Sequence, residues 1–292
     1  MNRDQTSPDV QMPHGIVARE ETWRLGNRSV NRFDLYQLAV QSCDIQVRFL
    51  RALHANEPQV LADDFSGPAG LARAWLTLND RYAAVATDTD DIPLAHAFVR
   101  TAEDLGNATL RRLALQRASV LEAGGHADII AALNFAVCEL PSRQQLVTYF
   151  RHAQFRLNSQ GIIVIDTYAG PSAFDTGSYT QIIETPAGEL TYQWEQRAAD
   201  PMSGRVSNSI HITLPTGEHL EDLFVYDWRL WSVPEIREAL REANFRHTEV
   251  HIDYGQALDG DGNPMPEAVA HDNEPSGVPG DEDLVAYVVG RV

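Results

Sequence analysis

The residues with the most legible chemistry lie in VLADDFSGPAGLARAW (60–75), where an apolar run ends on Asp63 and passes through a glycine-containing turn into helical periodicity. A turn of this kind brings backbone close to a ligand and aims free amide groups at it. The next apolar run, AVATDTDD (84–91), also ends on an acid, Asp88, and a carboxylate there can accept both hydroxyls of a ribose. Together Asp63 and Asp88 suit a nucleoside. The plainer reading of Asp88, Asp90 and Asp91 is that they cap the following helix and complement its positive end. A pyrophosphate cradle is disfavoured, because G-x-G-x-x-G is absent and Pro68 removes a donor from the turn.

Other chemistries lack anchors. DGDGNPMPE (259–267) begins like a calcium loop, but Pro264 takes the glycine place and Ala270 the place of the bidentate glutamate. His152, His211 and His251 fall in no H-E-x-x-H or clustered pattern, so no metal is expected. Ser66 and Ser172 sit in no G-x-S-x-G elbow. The chain has no lysine, which removes Schiff-base chemistry, the phosphate lysine of P-loops and the kinase strand lysine.

The elements that must position the two acids follow from periodicity. After one or two helices over 33–53, strands are expected at 60–63, 82–87, 113–118, 128–133 and 161–166, with helices at 71–78, 93–105 and 142–157 between them. Such alternation gives a mostly parallel sheet covered on both faces. Over 179–231 the period shortens to that of strands in QIIET, LTYQWEQ, VSNSIHITL and HLEDLFVYDWRLW, separated by PAGE, DPMSG and PTGE, an antiparallel meander. A helix then starts behind Ser232 as N-cap, with Pro234 and Glu235 in its first turn, and strands at 245–254 and 284–292 close the sequence. Residues 1–30 show no sustained periodicity and are expected to be disordered or to fold over the domain. The acidic, Gly- and Pro-rich stretch 255–283 is expected to be a long loop.

VLADDFSGPAGLARAW followed by AVATDTDDIPLAHA resembles motifs one and two of the class I S-adenosylmethionine-dependent methyltransferases. It resembles more narrowly an uncharacterised subfamily whose first motif reads E-D-F-C-G-T-A. The likeness continues through DLYQLAVQ (34–41), DIIAALNF (128–135), GIIVIDTYAG (161–170) and FVYDWRLWSVPEIREAL (224–240). It implies an α/β, Rossmann-like class I methyltransferase fold, a seven-stranded mostly parallel sheet with an antiparallel β insertion after strand 5. The implied layout is an N-terminal extension (1–32), a cofactor-binding domain (33–178 and 232–292) and an insertion (179–231) acting as substrate lid.

By position, the resemblance implies that Asp63 is the first-motif acid, that Phe65, Ser66, Gly67 and Pro68 turn beside the methionine part of the cofactor, and that Asp88 binds the ribose. Thr89 would lie beside the adenine, Ser119, Val120 and Leu121 would form its far wall, and Asn134 with Phe135 would close the pocket. Tyr36 and Gln41 look like lid contacts. This chain departs from the pattern in Ser66 for cysteine, Pro68 for threonine, Ala69 for glycine and Ser119 for an adenine-binding aspartate. The implied activity is methyl transfer from S-adenosyl-L-methionine to a small-molecule acceptor. In-line positioning can carry that chemistry without an essential base, so no catalytic residue is assigned.

Acceptor recognition is expected from the meander. Tyr192, Trp194, Tyr226, Trp228 and Trp231 would supply walls, and Asp227 and Arg229 would orient a polar group, with Arg229, Tyr226 and Trp231 the expected contacts. The plainer reading is that these aromatics pack the meander onto the domain. Two other functions stay open on the same sheet: a nucleoside- or protein-binding module without turnover, and nicotinamide-dependent reduction.

Composition limits the partners. Over 292 residues, 41 acidic against 23 basic side chains give a net charge of -18, which repels a nucleic-acid backbone. The Arg111–Arg112 pair is read as a solvated helix end or strand edge rather than an RNA contact. Cys43 and Cys138 form neither a disulfide framework nor a zinc spacing, and the first thirty residues hold no apolar targeting core. A cytoplasmic protein with no membrane span is expected. An aromatic meander could also serve as a homodimer contact.

Overall fold

The computed structural model describes residues 21–54, 56–252, 254, 259, 262–272 and 283–292. The expectations for residues 1–20 and for most of 255–283 fall outside the described residues.

The chain opens with β1 (Thr22–Leu25), β2 (Arg28–Asn31), α1 (Arg32–Ala39) and α2 (Cys43–Leu53). It continues through β3 (Val60–Asp64), α3 (Gly70–Leu78), β4 (Ala83–Asp88), α4 (Asp91–Leu110), β5 (Leu113–Arg117), β6 (Ala127–Ala132), a 3₁₀ turn (Ala136–Glu139), α5 (Arg143–Arg156) and β7 (Leu157–Ala169). Then come β8 (Gly177–Thr185), β9 (Gly188–Asp200), β10 (Arg205–Thr213) and β11 (His219–Arg229). Finally α6 (Val233–Glu242), β12 (His247–Ile252), β13 (Ala270–His271) and β14 (Leu284–Arg291) complete the order.

The main sheet has the order β13-β12-β14-β7-β6-β3-β4-β5, parallel from β5 to β7 and antiparallel from β14 outward. It is the expected mixed sheet with one addition, the two-residue edge strand β13, too short to leave a period in the sequence. Its central strands read as unbroken apolar runs because both faces are covered. Ala62, Ile130, Ile163 and Ile165 pack with Leu146 and Phe150 of α5 and Leu240 of α6, while Leu61, Ile129, Ile162 and Val164 pack with Phe49 of α2 and Trp75 of α3. From β3 the chain steps outward to β4 and β5, then returns to β6 on the other side of β3. The carboxyl ends of β3 and β6 therefore flank the switch point at which open α/β sheets bind ligands.

The meander forms a separate four-stranded antiparallel sheet, β11-β10-β9-β8, inserted after the fifth parallel strand. Leu190, Tyr192, Ile210 and Ile212 of this sheet share a core with Val30 and Leu35, and Trp23 and Leu25 pack against it. Of the two expectations for the N-terminal stretch, folding over the body is what residues 22–31 do, as an antiparallel hairpin. The helix after β2 starts with a full capping box between Asn31 and Asp34, and Asp34 reaches on to Arg100 of α4 at 2.6 Å.

Candidate functional site

The turn after β3 is held open by its own backbone. Phe65, Gly67 and Ala69 all have left-handed conformations, with φ of 58°, 50° and 53°. Such φ values are uncommon for the side chains of Phe65 and Ala69. Ser66 N–H donates to the Thr87 carbonyl at 2.9 Å, and Gly67 N–H donates to Asp88 Oδ2 at 2.8 Å, tying the turn to the end of β4. A β-carbon placed on Gly67 would meet nothing within 4 Å, so the turn faces open space. The Ser66 hydroxyl is buried there without a hydrogen-bond partner.

The two adjacent acids have different work. Asp64 is buried and takes a two-pronged ion pair from Arg156, with contacts of 2.8 and 3.1 Å, plus the Tyr149 hydroxyl at 3.0 Å. Asp63 points to the opposite face, where its Oδ2 accepts the Ala72 N–H in the first turn of α3 at 3.1 Å. Burial is the main reason its carboxyl is raised well above the usual range, with the charges of Asp64 and Asp88 adding to it. Asp88 is partly exposed; its Oδ1 accepts the Asp90 N–H at 2.9 Å. Each of its oxygens thus keeps an acceptor position for a ligand. Burial also raises its carboxyl.

The remaining expected residues stand along the same edge. Thr89 is exposed beside Asp88. After β5, Ser119 Oγ accepts the Leu121 N–H at 3.3 Å, and Val120 and Leu121 pack into the core below. After β6, Asn134 and Phe135 are both left-handed, and their N–H groups donate to the Asp166 carboxylate at 2.8 and 2.7 Å. Asp166 was absent from the sequence expectation, though an acid ending the apolar run GIIVID is its signal. Burial pushes its carboxyl up to about 7 despite the two N–H bonds. Glu139 ends the 3₁₀ turn, where the protein around its carboxyl and the Asp88 charge push it up to about 7.

Next to this edge lies a cavity of about 1010 Å³ between the inner face of the inserted sheet, α1 and the ends of β7 and β14. Tyr36, Asn134, Phe135 and Asp166 line it, so it opens onto the strand ends. The opposite wall is aromatic: Tyr192 and Trp194 come from β9, and Tyr226 and Trp228 from β11. Tyr226 lies 4.4 Å from Trp228 and 6.2 Å from Trp194 between ring centroids. Strand alternation chooses these residues, since 226 and 228 face inward while 227 and 229 face the other way.

Two of the expected acceptor contacts lie outside this cavity. Arg229 is outside the cavity, with its guanidinium 3.8 Å over the Trp231 ring and 3.5 Å from Glu235. Trp231 is fully buried, its indole N–H donating to the Leu140 carbonyl at 3.1 Å. Gln41 is also displaced from the expected lid. It packs against Gly70 and lines a second hollow with Cys43 and Arg73, while its neighbour Gln37 donates to the Pro68 carbonyl at 3.4 Å. Arg112 gives its N–H groups to the carbonyls of Leu76, Asn79 and Tyr82, a structural role for that side chain.

Solved structures of methyltransferases share this architecture. The CcbJ methyltransferase of Streptomyces caelestis superposes with a TM-score of 0.60 at 15% identity, over 85% of this chain and 88% of that one. The fold is that of the class I methyltransferases. CalS10 of Micromonospora echinaspora, an amino pentose methyltransferase solved with S-adenosylmethionine bound, gives 0.59 at 14% identity, over 91% and 99% of the two chains. The sugar N-methyltransferase KedS8 of a Streptoalloteichus species gives 0.58 at 16%, over 95% and 99%. No family model matches the chain, and no curated protein matches it. The turn at 65–69 and the acid Asp88 stand at the carboxyl edge of the parallel strands, and the inserted sheet roofs the adjoining cavity.

Proposed function

We propose that this protein transfers a methyl group from S-adenosyl-L-methionine to a small-molecule acceptor. The observation that carries the reading is the Gly67–Asp88 hydrogen bond, which fixes an open, acid-flanked turn at the switch point of a class I methyltransferase fold. The residues suit the cofactor: the Ser66 hydroxyl is buried without a partner, the space over the neighbouring Gly67 is open, and Asp88 retains acceptor positions for two hydroxyls. Acids near the site also suit a sulfonium, which bears a positive charge.

In this reading Asp88 holds the ribose, with Thr89, Ser119, Val120 and Leu121 around the adenine. Asp63 and the turn 65–67 border the methionine part, and Asn134, Phe135 and Tyr36 separate that pocket from the aromatic cavity. When bound, the cofactor supplies an already activated methyl group. The chain then has to orient the acceptor and exclude water, for which well-placed pairs gain effective molarities of about 10⁵ to 10⁸ M. The aromatic cavity does both. The solved neighbours described as an amino pentose and a sugar N-methyltransferase support an acceptor of small-molecule size.

Asp88→Ala tests the assignment by equilibrium dialysis against labelled cofactor, with circular dichroism to verify the fold. Losing hydrogen bonds to a charged acceptor should weaken binding about tenfold or more. Wild-type affinity in a folded variant would refute the site.

A further inference from the structure

The charge pattern of the large cavity is one-sided. Among the described residues that line it there is no arginine, lysine or histidine, whereas Asp166, Asp175 and Asp283 all contribute. The guanidinium of Arg32 lies over the rings of Phe33 and Phe224, 4.7 and 5.7 Å from their centroids, and is not part of the lining. The remaining wall is largely ring faces, with Trp194, Tyr226 and Trp228 clustered on one side and Tyr254 and Tyr287, 5.4 Å apart, on another.

Each acceptor class would fare differently here. An anion would meet carboxylates with no cationic side chain among the described lining residues to pair with, the charge of Arg32 reaching the wall at Tyr226. A neutral polyol can stack its C–H faces on the rings but brings no charge to meet the carboxylates, and the Gln196 amide is already committed to the carbonyls of Ala173 and Asp175 at 3.1 and 2.8 Å. A cation gains from both features, because ring quadrupoles and carboxylates attract it together.

We propose that the acceptor seated in this cavity is a cationic amine carried on an apolar ring or chain, methylated at nitrogen. The proposal rests on the methyl-transfer reading above. The ammonium gives one proton to bulk solvent as it enters the cavity. Its freed lone pair then forms the N–C bond as the S–C bond of the sulfonium breaks, that electron pair staying on sulfur, and the product is an ammonium with one more methyl group.

Three probes share one skeleton and differ in charge: 4-tert-butylbenzylammonium, 4-tert-butylbenzyl alcohol and 4-tert-butylbenzoate. Titrated into the full chain without cofactor, by calorimetry and by the fluorescence of Trp194 and Trp228, the ammonium should bind about tenfold tighter than the alcohol, and the benzoate weakest. Trp194→Leu and the exposed Asp175→Asn should each reduce the ammonium-to-alcohol ratio about threefold or more, a change in selectivity that a folding defect would not produce. Equal or tighter binding of the alcohol or benzoate, or no binding of any probe, overturns the proposal. A second arm adds S-adenosylmethionine and reads products by mass spectrometry. Methyl on an oxygen of the alcohol or benzoate with the amine untouched would keep the methyl-transfer reading and overturn the amine acceptor. Failure of the protein to bind S-adenosylmethionine would overturn the methyl-transfer reading and the amine acceptor with it, leaving only a cation-selective cavity.

Discussion

Asp166 accepts two backbone N–H groups, which favours its charged form, yet burial wins and its carboxyl lies at about 7. A carboxyl raised on folding contributes stability that is complete below about pH 4 and is lost as the pH rises through about 7. Urea unfolding of Asp166→Asn and wild type at pH 4 and pH 8 should therefore show the wild type losing more stability with rising pH, by on the order of a few kcal/mol. A constant difference between the two would contradict this. The Asp64–Arg156 pair lies at the end of β3, with both side chains almost wholly buried. Arg156→Met strands one buried carboxylate and should cost about 3 to 5 kcal/mol in chemical denaturation; a loss under about 1 kcal/mol would show that the pair is dispensable. These two residues also mark where sequence reading stops. Asp63 and Asp88 were legible because each ends an apolar run. The partners of Asp166 and Asp64 lie some 30 and 90 positions away, a distance no local pattern spans. Arg229 and Trp231 were assigned by adjacency to aromatic neighbours, whereas the direction of each side chain decides what it touches.

At the scale of elements, β3 to β7 were legible because strands buried on both faces leave continuous apolar runs bounded by turns. The hairpin of β1 and β2 leaves no sustained period in the sequence, although Gly26 supplies the left-handed turn residue, with φ of 61°, between Thr22–Leu25 and Arg28–Asn31. Its strands are four residues each and their burial depends on the inserted sheet, a contact that local periodicity does not encode. The start of α6 was legible in detail. Ser232 and Glu235 form the reciprocal capping box, with Pro234 in the first turn. Ser232→Ala should lower stability by about 1 kcal/mol, seen as a lower urea midpoint with an unchanged slope. No midpoint shift would mean that the helix is set by packing of Ile236 and Leu240 alone.

For the molecule as a whole, two sheets divide the labour: the parallel one presents acids and a strained turn at its carboxyl edge, and the inserted one roofs an aromatic cavity beside it. The charge of -18 agrees with a small-molecule acceptor rather than a polyanion. Among the described residues no helix is long and apolar enough to cross a membrane. The measurement that bears most directly on the central claim is titration calorimetry of the wild-type chain with S-adenosylmethionine, its demethylated product and NAD. Methyl transfer requires the first two to bind in the micromolar range or tighter with one site per chain, and NAD to give no heat beyond dilution. Binding of NAD in their place, or of none of the three, would contradict it.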